Sequence, residues 1–308
     1  MSAEGGRAAV IAALLANAGI AVSKFVAFLF TGSSSMLAEG VHSVADTGNQ
    51  ALLLLGSNRA KRRPDTEHPF GYGTDRYFYA FVVALVLFSV GSLFALYEGY
   101  QKLKQPHELE VPQVAIGVLL VAIGLEAFSF RTAYRESRKV KPAGMSWAGF
   151  IRHTKNPELP VVLLEDTAAL LGLVFALAGV SLTLLLHQPR WDGVATLAIG
   201  VLLAAVAAVL ATEMKSLLIG EAASPPDVEK IRAALVGGGI SNVIHLRTVH
   251  IGPEDVLVAA KVAFRAEADM AEIAGGINAA EARVRDAVPV VSLMYLEPDL
   301  YRPDGARG

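Results

Sequence analysis

The chain has 308 residues, of which 53% are hydrophobic, and a formal net charge of −2. This apolar fraction is too high for an ordinary soluble domain of this size, while the near-zero charge says little about partners. The chain contains no cysteine, which excludes disulfide bonds and thiolate metal sites. Residues 1–7 lack a basic n-region and a cleavage site, so we expect no removable signal peptide and a first apolar segment that stays in the membrane.

Six apolar segments are long enough to cross a bilayer, which takes about 20 mainly apolar residues. They are predicted at residues 8–30, 35–56, 77–100, 111–130, 159–186 and 193–212. Before the fifth segment, Asn156 is a candidate helix cap, Pro157 suits the first helical position and Glu158 favours the positive end of the helix dipole. A helix starting there places Asp166 near the middle of the membrane.

Basic residues predict the orientation of these spans. The loops after the second and fourth spans are rich in lysine and arginine, whereas the opposite loops carry only Lys102, Lys104 and Arg190. The positive-inside rule therefore places the basic loops and both termini on the cytoplasmic side or its equivalent. Within the second basic loop, residues 137–156 carry Trp147 and Phe150 among polar residues, which predicts either an interfacial helix or an ordinary loop. Topology explains the basic loops better than contact with nucleic acid.

Four polar residues in the second predicted span have helical spacing. Glu39, His42, Asp46 and Asn49 are three, four and three residues apart, so they share one stripe of a helix. Ionisable groups at membrane depth are costly and usually face a bundle interior or a water-filled path. A histidine and a carboxylate one turn apart also suit a divalent metal such as zinc. We therefore predict half of a transported-metal site here; the alternative is a buried polar pair that holds helices together.

The fifth predicted span supplies the other half of the site. Glu165 and Asp166 are adjacent in an otherwise apolar helix. Because neighbouring helical positions diverge by about 100°, one carboxylate can face the metal while the other faces a cavity, another helix or a proton path. The alternative is that one of them pairs with Lys24 or another polar group. Lys24 could equally neutralise Glu39 or extend outward to the interface.

From about residue 220 the composition becomes that of a soluble domain. A Ser-Pro-Pro-Asp helix start at residues 224–227 opens a helix that ends at three glycines. Strands are predicted at residues 243–251, 255–264 and 290–296, and a second helix at 269–288. This order predicts a small α+β (ferredoxin-like) domain at 220–308, following an all-α transmembrane domain at 1–219.

Three stretches of the chain resemble one family of membrane proteins. They are MLAEGVHSVADTGNQ in the second span, RRPDTEHPFGYGTDR in the next loop and LLEDTAALLG in the fifth span. With six spans and a C-terminal α+β domain, the chain resembles the cation diffusion facilitator family, zinc-transporter type. The resemblance implies a homodimer, formed through the C-terminal domain and membrane helices, that exports Zn²⁺ in exchange for protons.

The resemblance also implies the ligands of the transported metal. The family's ligand pair on the second span falls on His42 and Asp46, and the acidic member of its fifth-span pair falls on Asp166. The other member, commonly a histidine, falls on Val162, which cannot bind metal. The chain therefore resembles a divergent branch of the family that lacks the fifth-span histidine.

Other groups must complete such a site. Glu165, Asn49 or water would be the fourth ligand, and Glu39 would support His42 from one turn away or relay protons. One histidine favours zinc, although an oxygen-rich site would also admit Mn²⁺, Fe²⁺ or Co²⁺. No cofactor is expected beyond the transported metal.

A second, weak metal site is implied in the loop after the second span. The family's ligands there fall on Asp65, His68 and Tyr72, and tyrosine is a poor zinc ligand. The alternative is a turn-rich loop shaped by its prolines and glycines. No multi-metal cluster is expected in the C-terminal domain.

The predicted function is therefore proton-coupled export of a divalent metal by an integral membrane protein. The rival prediction is a membrane-anchored metal sensor or metal-binding protein that has lost transport, because the fifth-span histidine is missing. No enzyme is expected, since the chain lacks a nucleophile elbow, a P-loop and a dinucleotide-binding fingerprint.

Overall fold

The computed structural model describes residues 18–106 and 111–301, apart from the side chains of residues 87 and 88. The described residues form two compact units: the first takes in those up to Asn58 and those within Phe78–Lys215, and the second Arg59–Tyr77 and those from Ser216 onward. The predicted domain boundary between residues 219 and 220 stays a prediction. Residues 8–17 of the first predicted span lie outside the described residues.

Helices form the first unit. In chain order they are α1 (Ala18–Thr31), α2 (Ser34–Ala60), α3 (Asp75–Lys104), α4 (Pro112–Val140), α5 (Trp147–His153), α6 (Glu158–Leu186) and α7 (Arg190–Ile219). Helix α3 includes a π-helical turn at Val83–Leu87. The described part of the chain contains four helices long and apolar enough to cross a membrane, namely α3, α4, α6 and α7. The described part of α1 is shorter, and α2 carries the polar stripe, so the six-span arrangement stays a prediction.

Several helix ends differ from the sequence prediction. Helix α4 continues to Val140 instead of ending at residue 130, because its polar last turns can stay helical after the apolar segment ends. Helix α6 begins at Glu158, with Pro157 in the cap position instead of the first helical position. Asn156 still supports this start, since its Oδ1 accepts a hydrogen bond from the Glu158 N–H at 3.1 Å. In the predicted interfacial segment, the short helix α5 is capped by Ser146 and buries Phe150; membrane contact by α5 stays a prediction.

The first turn of α2 is held by an acidic residue from α7. Asp192 is fully buried, and its Oδ2 accepts a hydrogen bond from the Ser34 N–H at 2.8 Å. Its Oδ1 accepts from the hydroxyls of Ser33, at 2.9 Å, and Ser35. A helix N-terminus has unsatisfied N–H groups and a partial positive charge, so a carboxylate there is doubly favourable. Sequence analysis had not foreseen that Asp192 caps a different helix.

Asp192→Ala is expected to destabilise the protein by roughly 3 kcal/mol, because three buried hydrogen bonds to a charged group are lost. The thermal unfolding midpoint of the detergent-solubilised protein should fall by several degrees. Thr212→Ala, which removes an exposed hydroxyl bonded within α7, is the matched control and should leave the midpoint unchanged. Equal midpoints for the two variants would refute a role for Asp192 in holding α2.

The second unit contains a three-stranded sheet. Its elements are α8 (Pro225–Leu235), β1 (Asn242–Gly252), β2 (Asp255–Phe264), α9 (Met270–Ala287) and β3 (Val291–Leu300). Strands β1 and β2 are antiparallel, and β2 and β3 are parallel neighbours joined through α9. Val256, Val258 and Val262 alternate along β2 and are buried in one core with residues of both helices. The predicted order of elements and the α+β class are confirmed; the ferredoxin-like assignment stays a prediction.

Residues 59–77 pack against the β1–β2 hairpin within this unit. A Cβ atom added at Gly73 would lie 2.5 Å from the Ile251 carbonyl oxygen, so the two backbones touch where only glycine fits. Tyr77 is fully buried, and Arg76 Nη1 lies 3.9 Å from Glu254 Oε1. The segment between α2 and α3 is therefore an integral part of the second unit.

Candidate functional site

The polar stripe of α2 faces the interior of the first unit. Glu39, His42, Asp46 and Asn49 are all at most 6% exposed. Val44, on another side of the same helix, is 53% exposed. This is the arrangement expected of a membrane helix that hides its ionisable groups from lipid.

Both carboxylates of α6 are buried as well, and α6 meets α2 at two points. Near one end of the contact, the side chain of Asn49 lies close enough to the Glu165 carboxylate to interact with it. Two turns further along α6, the backbone at Gly172 lies so close to Glu39 that an added Cβ would be 2.5 Å from Glu39 Oε1. The predicted pairing of the second and fifth segments therefore occurs, with the two polar faces toward each other.

Helix α4 adds two residues that sequence analysis had not placed in the site. It packs along α6, and Ser129 Oγ donates a hydrogen bond to Asp166 Oδ2 at 3.2 Å. Glu126, one turn earlier on α4, is 9% exposed and lies within electrostatic range of Asp46 and Asp166. The spacing of Glu126 and Ser129, three residues apart in a predicted span, was the available signal.

The predicted metal ligands approach one another without closing around a common point. His42 Nδ1 lies 3.4 Å from Asp46 Oδ1. Across residues 18–106 and 111–301, no three His, Asp or Glu side chains are grouped so that they could hold a metal ion. The assignment of His42, Asp46 and Asp166 as ligands therefore stays a prediction.

Lys24 of α1 pairs with Glu39 and not with an α6 carboxylate. Its Nζ donates to Glu39 Oε2 at 3.0 Å and to Ser43 Oγ at 2.7 Å, and the Lys24 and Glu39 side chains are completely buried. Of the predicted alternatives for Lys24, neutralisation of Glu39 is the one observed. A buried ion pair of this kind fixes α1 against α2, since removing either partner leaves an uncompensated charge.

Asp65 organises the turn after α2. Its Oδ1 accepts from the N–H groups of Glu67 and His68, and its Oδ2 accepts from the Tyr72 hydroxyl at 2.6 Å. The Tyr72 hydrogen bond and the backbone donors lower the pKa of the Asp65 carboxyl. His68 stacks on the Tyr72 ring, with 4.3 Å between ring centroids. These contacts favour the structural interpretation of the loop, and the weak metal site at Asp65 and His68 stays a prediction.

The four apolar helices and the buried ionisable stripe describe an integral membrane protein with a polar core. A family model described as the cation efflux transmembrane domain matches residues 10–219. The chain therefore belongs to the cation diffusion facilitator family, as its motifs indicated.

Similar proteins come from animals, plants and bacteria. The mitochondrial proton-coupled zinc antiporter SLC30A9 of Homo sapiens is 32% identical over 84% of this chain and 45% of its own length. Metal tolerance protein C4 of Arabidopsis thaliana is 30% identical over 84% of this chain and 57% of its own. Magnetosome protein MamB of Magnetospira sp. is 25% identical over 63% of this chain and 61% of its own. The chain thus spans about half the length of the first two relatives.

Proposed function

We propose that this protein is a secondary transporter that exports divalent metal cations, with Zn²⁺ as its main substrate, in exchange for protons by alternating access. The observation that carries the proposal is the burial of a histidine–carboxylate stripe on α2 opposite the carboxylates of α6, inside a unit of apolar helices. The printed names of the human and Arabidopsis relatives, a zinc antiporter and a metal tolerance protein, support the same substrate class.

His42, Asp46 and Asp166 are the proposed ligands, and Glu165, Asn49 or water completes the coordination. Metal binding requires a neutral imidazole and ionised carboxylates, so each binding event releases protons. When the site then opens toward higher proton activity, reprotonation of the same groups expels the metal. Mn²⁺, Fe²⁺ and Co²⁺ are the competing substrates, because carboxylates accept them readily.

A hydrogen bond from α4 orients one of the proposed ligands. Ser129 holds one oxygen of Asp166, which leaves the other oxygen for the metal. Hydrogen bonds of this type orient ligands and typically change metal affinity by roughly 10- to 100-fold when removed.

The assembly and orientation are part of the proposal. We propose a homodimer formed through the α+β unit and the membrane helices, in a lipid bilayer, with both termini on the cytoplasmic side. The basic segment between α2 and α3 and the basic end of α4 support that orientation.

Flux of Zn²⁺ and Mn²⁺ into proteoliposomes, with and without an imposed pH gradient, tests the proposal. We expect gradient-driven Zn²⁺ flux that collapses when an ionophore removes the pH gradient. Zinc binding by calorimetry without any flux would overturn the proposal and support the sensor prediction. Zn²⁺ flux that does not depend on the pH gradient would support transport but would refute the exchange for protons.

A further inference from the structure

The Lys24–Glu39 pair lies beside the proposed metal ligands. Glu39 precedes His42 by one helical turn, and Ser43, which accepts the second Lys24 hydrogen bond, directly follows His42. The Lys24 charge acts on His42, Asp46 and Glu126 as well as on Glu39. A lysine paired with a carboxylate therefore lies next to the residues that are proposed to receive a divalent cation.

Only one of the two carboxylate oxygens of Glu39 takes part in this pair. Its Oε2 accepts from Lys24, whereas its Oε1 is buried without a hydrogen-bond partner among the described residues. The Oε1 atom faces α6 at Gly172, where a side chain would collide with it. A buried carboxylate oxygen without a partner is rare in proteins, which points to a functional role for this group.

We propose that Lys24 is a tethered counter-cation that, through its ion pair with Glu39, sets the affinity of the His42–Asp46 site for divalent metal. The inference rests on the proposed function. With the pair intact, the two charges largely cancel at the metal position. Lys24 therefore prevents Glu39 from adding its negative charge to the site, and the metal stays weakly enough bound to leave.

The proposal predicts that neutralising Lys24 and neutralising Glu39 change the metal affinity in opposite directions. Lys24→Met leaves the Glu39 charge uncompensated, which attracts a divalent cation strongly in a low-dielectric interior. Glu39→Gln leaves the Lys24 charge uncompensated, which repels it. The double variant has neither charge and should bind metal nearly as the unmodified protein does. A purely structural ion pair predicts something different, since both single variants would then loosen the helices and bind metal more weakly.

The experiment is Zn²⁺ calorimetry on the full-length protein in detergent at one fixed pH. We expect the dissociation constant to fall at least about tenfold in Lys24→Met and to rise at least about tenfold in Glu39→Gln, with each tenfold equal to about 1.4 kcal/mol. Lys24→Arg retains the charge and should stay near the unmodified value. Weaker binding in both single variants would overturn the proposal, as would unchanged binding in both.

A second comparison covers the case in which Lys24→Met fails to fold. Glu39→Gln and the Lys24→Met/Glu39→Gln double variant are then compared, because the double variant contains no unpaired buried charge. We expect the double variant to bind Zn²⁺ at least about tenfold more tightly than Glu39→Gln alone. If the double variant binds as weakly as Glu39→Gln alone, then Glu39 acts as a ligand and the Lys24 role is rejected.

Asp46→Ala separates this inference from the proposed function. If Asp46→Ala binds Zn²⁺ as tightly as the unmodified protein, the proposed site itself is wrong. If Asp46→Ala loses binding but the Lys24 and Glu39 variants do not shift in opposite directions, only the counter-cation role fails.

Discussion

Asp46→Ala is expected to abolish gradient-driven zinc flux, with a reduction of at least about 100-fold, beyond what the loss of an outer hydrogen-bond partner costs in metal sites. Asp46 is at the centre of the buried stripe, 3.4 Å from His42 Nδ1 and within electrostatic range of Asp166. Alanine removes the α2 carboxylate that lies next to the histidine and is not paired with Lys24. Loss of this group should remove both metal coordination and one site of proton exchange.

Two further variants make the Asp46 result specific. Asp46→Asn keeps the size and hydrogen-bonding capacity of the side chain but removes the charge, so it should be as inactive as alanine. Asp286→Ala removes an exposed carboxylate on α9 and should transport normally. Flux is measured with equal amounts of reconstituted protein, checked by size-exclusion chromatography. Substantial zinc flux in Asp46→Asn would show that the carboxylate is not a ligand of the transported metal.

Val162→His is expected to tighten zinc binding at least about tenfold, or about 1.4 kcal/mol, and to increase the preference for Zn²⁺ over Mn²⁺. Val162 is one turn before Asp166 on α6 and is half-buried. An imidazole there would share a helix face with Asp166 and could supply the nitrogen ligand that this chain lacks. Tighter binding should slow release, so we expect the maximal flux to fall while the half-saturating zinc concentration also falls.

Leu164→His is the matched control for this substitution. Leu164 is also half-buried on α6, but two positions along a helix turn the side chain by about 200°, away from the Asp166 face. It should leave zinc affinity and metal preference unchanged. Equal effects of Val162→His and Leu164→His, or none from either, would place the metal away from this face of α6.

Local patterns in the sequence were sufficient to predict most helices and strands and the burial of the α2 stripe. The three- and four-residue spacing from Glu39 to Asn49 identified one helix face, and all four side chains are buried. The strand pattern of β2 and the Ser-Pro-Pro-Asp helix start at residues 224–227 predicted elements of the α+β unit within a few residues. Such patterns are readable because helix and strand periods depend only on neighbouring residues.

The contacts between helices could be seen only in the tertiary structure. Lys24 had several acidic candidates in the sequence, and the rotation of α1 against α2 selects Glu39. Asp192 lies in the first turn of its own helix, yet it caps α2, because α7 begins beside the turn at residues 32–35. The spacing of Ser129 from Glu126 places the two on one face of α4, but the hydrogen bond from Ser129 to Asp166 depends on the packing of α4 along α6.

The sequence by itself determined that this chain is a membrane protein of the cation diffusion facilitator family, with a buried histidine–carboxylate stripe and a small α+β unit. Only the tertiary structure decided which charges neutralise one another around that stripe. The physical reason is that a helix period places a side chain on a face, whereas an ion pair depends on the distance and rotation between two helices far apart in the chain.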